Sequence, residues 1–218
     1  MFRVVVYAEG AGELTGRDTS RQRAPSTPLT EEELGVAHLL VRRCLEHTRE
    51  LPPESIQFEE PLRSRGKLAR GSMLHSRSTL RPLLFWANPD HRPDLAIVLV
   101  DADGKEEDRR EQLTQALENL PLEAVSAVAV QEFEAWLLAD PEALKNILHA
   151  SLTPPKPPER LTRQQAKELL QEWCESHGRR RDPAEIRRQL VEACDLETLS
   201  HTCPAFARFL QDLGTARA

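Results

Sequence analysis

Residues 95–108 read LAIVLVDADGKEED: six apolar residues in a row, then carboxylates at Asp101 and Asp103 with a glycine beside them. An unbroken apolar run that short is what a strand buried on both faces requires, as in a parallel sheet. The chain opens in the same way, with FRVVVYAEGAGE at residues 2–13, where a valine-rich run ends at Glu9 among Gly10, Gly12 and Glu13. A third run, AVSAVAV at residues 124–130, leads into QEFEAWLLAD. Between these runs lie EEELGVAHLLVRRCLEHT and EEDRREQLTQALENL, both with helical periodicity. Strands alternating with helices predict an α/β fold with a mostly parallel sheet flanked by helices.

The remaining segments fill in around that frame. Residues 14–28 are polar and turn-rich and read as an exposed loop. Thr30 followed by Glu33 is a capping-box pattern at the start of the first long helix. Pro52 and Pro53 stop that helix, and SIQFEE at residues 55–60 is a short second strand. The stretch TPPKPPER is stiffened by its prolines and reads as a semi-rigid linker. After it come three helical segments, at 161–176, 183–198 and 204–213. The expected division is an α/β domain at 1–150, a linker at 151–160 and a helical C-terminal extension at 161–218 that packs on the sheet.

Composition narrows the function classes. With 218 residues and a formal net charge of -6, the chain is not built to coat nucleic acid wholesale, although local basic patches remain open. Four scattered cysteines without a CxxC pair fit a reducing cytoplasm better than a disulfide framework. No apolar run approaches the roughly 18 residues of a membrane span, so no membrane association is expected. There is no Walker phosphate loop and no HExxH, and no serine or cysteine stands in a nucleophile context. The histidines, His75 included, read as surface or core residues.

The acids at the strand ends are the candidate site. In an open parallel sheet, ligands bind in the crevice at the carboxyl ends of the strands. If the extended geometry runs on through residue 103, Asp101 and Asp103 project to one side, about 7 Å apart. With Glu9 they then reach one metal, or two about 4 Å apart. Oxygen ligands alone point to Mg²⁺ or Mn²⁺ rather than zinc. Glu13 is either a further ligand or a group behind the ligands, and Gly10 and Gly12 allow a phosphate to approach the backbone closely. The competing reading is that strands end in polar residues simply because the chain has reached the surface.

A third acidic cluster, Glu132 and Glu134, follows the third strand. Either residue is an extra ligand or a water-orienting base, or else a carboxylate at a helix N-terminus interacting with the helix dipole. Phe133, Trp136 and Leu137 face the core, and Asp140 caps the helix that Pro141 begins. Between Glu60 and Asp90 there is no acid, and the segment carries Arg63, Arg65, Lys67, Arg70, Arg77 and Arg81 among serines. Arginine forks and hydroxyls are the groups that grip phosphate, so this segment is the candidate phosphate-binding surface; a solvated basic face is the alternative. The run GRRRD at 178–182 is a second, weaker one.

YAEGAGE followed by VLVDADG resembles the Toprim arrangement of topoisomerases, primases, OLD-family nucleases and small maturation ribonucleases, with an acid after the first strand and a later DxD. More narrowly, AVQEFEAWLLAD and DLETLSHTCPAFARFLQDL are similar to the bacterial domain-of-unknown-function family 4276, related to the RloB-like proteins. The resemblance implies a Toprim-like fold, with Glu9, Asp101 and Asp103 at the metal positions. It also implies Mg²⁺ dependence, phosphodiester chemistry on nucleic acid, and a bacterial defence setting with a partner ATPase. The leading expectation is therefore a metal-dependent nuclease. A non-catalytic subunit of an ATPase complex and a metal-dependent nucleotide phosphotransferase are the alternatives.

Overall fold

In chain order the elements are β1 (Phe2–Ala8), α1 (Ala11–Leu14), α2 (Val36–Arg49), β2 (Ile56–Phe58), β3 (Arg63–Ser64), β4 (Lys67–Leu68), α3 (Arg77–Leu84), β5 (Leu95–Asp101), α4 (Glu106–Leu117) and β6 (Glu123–Ala129). They continue with α5 (Glu134–Leu137), α6 (Pro141–Leu148), α7 (Gln165–His177), α8 (Pro183–Ala193), α9 (Leu196–Thr202) and α10 (Pro204–Thr215). The computed structural model describes residues 1–17, 24–86, 88–154, 157–162, 164–178 and 181–215. Parts of the loop at 14–28 and of the proline-rich stretch lie outside the described residues, as do Arg179 and Arg180 of the run GRRRD.

The three apolar runs and the short SIQFEE strand form one four-stranded sheet in the order β2–β1–β5–β6, every pairing parallel. Chain connection runs outward from β1 to β2 on one side and to β5 and β6 on the other. The order therefore reverses between β1 and β5, and their carboxyl ends border the crevice where such sheets bind ligands.

Period-two alternation divides the strands between two cores. Val4, Val6 and Ala8 of β1 and Leu95, Ile97 and Leu99 of β5 face the core built with α2 and the C-terminal helices. Val5, Tyr7, Ala96, Val98 and Val100 face a smaller core with Leu80, Leu83 and Leu84 of α3 and Leu113 and Ala116 of α4. Helices thus cover both faces, which is why β1 and β5 tolerate almost no polar side chain before their ends. Tyr7 has its one polar atom satisfied: its hydroxyl donates to the Leu83 carbonyl at 2.7 Å and accepts from the Leu62 N–H at 3.1 Å.

The C-terminal helices pack on the sheet. Trp136 of α5, fully buried, meets Phe206 edge-on at 5.3 Å and stacks on Phe209 at 6.3 Å. Its indole N–H donates to Glu159 at 2.8 Å, and the other Glu159 oxygen accepts the Ala205 N–H at 3.2 Å. The FExWLLAD motif is thus largely a packing motif, and Glu159, within the stretch that reads as a linker, ties α5 to α10. Deleting an aromatic ring so enclosed costs about 3–5 kcal/mol.

Two local readings change in the fold. Glu33 accepts the Thr30 N–H at 2.8 Å, but the turn it caps is a short 3-10 turn at Glu31–Glu33, and α2 begins only at Val36. The reason is tertiary: a Cβ on Gly35 would lie 2.3 Å from the Glu13 carbonyl oxygen. The helix expected at 183–198 is two, because the Asp195 N–H turns away to Asp140 at 2.8 Å while the Asp195 carboxylate caps α9 through the Thr198 N–H at 2.7 Å. Asp140 also caps α6 as expected, accepting from Glu142 and Ala143.

Candidate acidic site at the carboxyl ends of the strands

β1 ends at Ala8 in register with Leu99, and the Glu9 N–H still donates to the Leu99 carbonyl at 3.1 Å. That last rung brings Glu9 to the flank of Asp101. One Glu9 carboxylate oxygen accepts the Asp101 N–H at 3.0 Å and lies 2.9 Å from Nε2 of His75. Asp101 in turn accepts the Phe133 N–H at 3.0 Å, which draws in the start of α5 and with it Glu134. Glu134, 8% exposed, faces Arg187 of α8 at 3.5 Å. Glu13 closes the group from α1, folded back so that its carboxylate takes a hydrogen bond from the Gly10 backbone.

The carboxylates feel one another strongly. Burial pushes the Asp101 carboxyl up to about 8, helped by the charges of Glu9 and Glu134 and opposed by the Phe133 hydrogen bond. Burial also pushes Glu13 well above the carboxylate range, with Asp101, Glu134 and Glu9 adding to it. Glu9 goes the other way. Burial raises it, but the hydrogen bonds from His75 and the Asp101 N–H, with the charges of His75 and Arg109, outweigh that and hold it down. One ionised carboxylate thus sits among acids that resist ionising.

Asp103 is placed differently from the expectation. Extended geometry stops at Asp101; Ala102 is buried, and Asp103 turns with a φ of 50° ahead of Gly104 at 78°. Alternation along a strand therefore does not relate Asp103 to Asp101. Among the described residues, no group of three or more His, Cys, Asp or Glu side chains is disposed to hold a metal ion. The carboxylates nearest to that role are Glu9, Glu13, Asp101 and Glu134, an all-oxygen set suited to a hard cation.

The basic segment splits in two. Its Gly71 N–H donates to the Glu9 carbonyl at 3.0 Å, so the turn at Gly71–His75 docks directly against the acidic rim. Arg65 and Gly66, both at positive φ, form the two-residue turn of the β3–β4 hairpin. Arg65, Lys67, Arg70 and Arg77 are exposed. Arg63 is instead engaged by the buried Glu60 at 2.9 Å. Arg81 donates to the Glu118 carbonyl at 2.8 Å, at the end of α4 remote from its start beside Asp103. Those two are not brought to the acids. Gly12 has open space where a Cβ would stand, whereas Gly10 has Glu13 folded over it.

Sequence reasoning misses three residues. His75 reads as an ordinary histidine, Arg109 lies in a helix start rich in both charges, and Arg187 sits on a helix more than fifty residues beyond its partner Glu134. None carries a spacing signal; only the fold brings them to the site. Glu132 is brought near but is occupied, accepting the Lys167 N–H at 3.1 Å.

A family model described as Domain of unknown function (DUF4276) matches residues 35–214. The match takes in Asp101, Asp103 and Glu134 and begins after Glu9 and Glu13. No curated protein and no solved structure matches the chain. Among the described residues, no helix is long and apolar enough to cross a membrane.

Proposed function

This chain belongs to the DUF4276 family, and from that premise we propose that it is a Mg²⁺-dependent, Toprim-like nuclease that hydrolyses phosphodiester bonds of nucleic acid. The observation that carries the reading is the gathering of Glu9, Glu13, Asp101 and Glu134 at the point where the strand order reverses. Burial and the charges around them push the Asp101 and Glu13 carboxyls up while Glu9 beside them is held down, an arrangement that a divalent cation would relieve. Glu9, Asp101 and Glu13 are the residues that would hold it, with Asp103 and Glu134 at the margin. A bound Mg²⁺ or Mn²⁺ supplies Lewis-acid charge at a phosphoryl oxygen and a water made acidic enough to attack.

The chain's own groups have separate tasks in this reading. His75 and the Asp101 N–H orient Glu9 and keep it ionised. The Phe133 N–H fixes one oxygen of Asp101, leaving the other for a ligand. Arg65, Lys67, Arg70 and Arg77 draw the polyanion towards the rim, which makes binding salt-dependent. The implied partner ATPase and defence setting rest on the family resemblance. Four free, buried cysteines accord with a reducing cytoplasm.

The test is cleavage of plasmid, linear DNA and single-stranded RNA with Mg²⁺ or Mn²⁺ by the wild type and by Asp101→Asn. Cleavage by the wild type alone is expected. Equal cleavage by both would remove the acidic site from the chemistry.

A further inference from the structure

Next to the acids, on the far side of α1, lies a pocket of about 310 Å³ between the Gly12–Gly16 stretch and the first turns of α8, with Val36 also in its wall. Its charge is unusual for an interior. Arg188 is 7% exposed, its guanidinium reaches the Leu34 carbonyl through one nitrogen, and its Nε has no partner. Among the described residues no carboxylate lies within ion-pair distance of it. Arg187 also lines the pocket with an unpartnered Nε, while its other end faces Glu134 at 3.5 Å. The two acids in the wall are already engaged: Glu185 is gripped by Arg17 at 2.7 and 2.9 Å, and Asp182 caps α8 through the Ala184 N–H at 3.0 Å. An enclosed arginine with an unsatisfied donor needs an anion, because leaving such a group unpaired is costly.

We propose that this pocket is a phosphate subsite in which Arg187 and Arg188 hold a phosphate group of the substrate strand, beside the acidic cluster. The inference deepens the nuclease reading and rests on it for the identity of the strand. Two features fit the role. The missing side chain at Gly12 leaves that wall of the pocket open, since a Cβ there would meet nothing within 4 Å. Arg187 touches both the pocket and Glu134, so one guanidinium links the phosphate position to the acids. An arginine fork suits a phosphate's paired oxygens better than a lysine would.

Binding is read without chemistry, by anisotropy of a short fluorescein-labelled single strand, DNA or RNA, in EDTA, with inorganic phosphate as competitor. Wild type binds and is displaced by phosphate. Arg188→Met weakens binding on the order of tenfold or more. Because Arg188 is buried, Gly12→Leu serves as the second variant: it fills the pocket, leaves both arginines in place and is checked for native circular dichroism. It too should weaken binding and abolish phosphate competition. Asp101→Asn should bind about as tightly as wild type, since Asp101 is not among the residues that line the pocket. Folded Gly12→Leu that binds and competes as wild type does would overturn the subsite. Loss of binding in that variant, with no cleavage by wild type under any metal, would support the subsite and remove the nuclease reading instead.

Discussion

Asp101→Asn should stabilise the metal-free protein, by an amount that grows with pH. Burial first, then Glu9 and Glu134, raise the Asp101 carboxyl from 3.8 to about 8 in the fold. Below the unfolded value both states hold the proton and the residue has no effect on pH dependence. As pH rises through about 4, the unfolded chain releases its proton while the folded chain keeps it, so stability falls until the folded carboxyl ionises near 8. At about 1.4 kcal/mol per unit the upper bound is about 6 kcal/mol; solvent at the rim and relaxation of the neighbouring acids reduce it, and we expect about 2–3 kcal/mol. Asparagine keeps an oxygen for the Phe133 N–H and never ionises. For a chain of this size that is about 5–10 °C in midpoint. The assay is thermal unfolding in EDTA between pH 5 and pH 9, wild type beside Asp101→Asn. The curves should diverge with rising pH, the variant above. Parallel curves would refute the claim that Asp101 is held among unrelieved carboxylates.

Other consequences are equally direct. His75→Ala removes a group that holds Glu9 down, so the pH of half-maximal Mn²⁺ binding should move upward; an unchanged midpoint would separate His75 from the site. Arg70→Ala with Arg77→Ala should make the log–log dependence of DNA or RNA binding on salt shallower, by about one for each phosphate that is no longer neutralised, and an unaltered slope would exclude both from the binding surface. Gly35→Ala puts a Cβ 2.3 Å from the Glu13 carbonyl oxygen and should cost about 2–3 kcal/mol in denaturant unfolding. A neutral result there would mean that α1 and the start of α2 are not tightly apposed.

The strands are legible because burial on both faces leaves one kind of sequence, and residues 2–8, 95–100 and 124–130 have it. Acids placed where those runs stop point to the rim, and Glu9 and Asp101 do meet there. The reading weakens one residue past the strand: the Asp-Gly pair in VDADG is a turn signal, and Asp103 takes the left-handed conformation instead of extending the strand. Long-range contacts are invisible for a related reason. The break between α8 and α9 depends on Asp140, fifty-five residues away, and Gly35 is required by the backbone of Glu13. His75 and Arg109 reach Glu9 only once the turn at residues 71–75 and the start of α4 are folded over the rim.

Calorimetric titration of Mn²⁺ into wild type, Glu9→Gln and Asp101→Asn at neutral pH tests the central claim most directly. Binding by wild type, abolished or severely weakened in both variants while their folds persist, is the predicted result. Binding that is equal in all three proteins, or absent from the wild type, would contradict a metal site at the ends of β1 and β5.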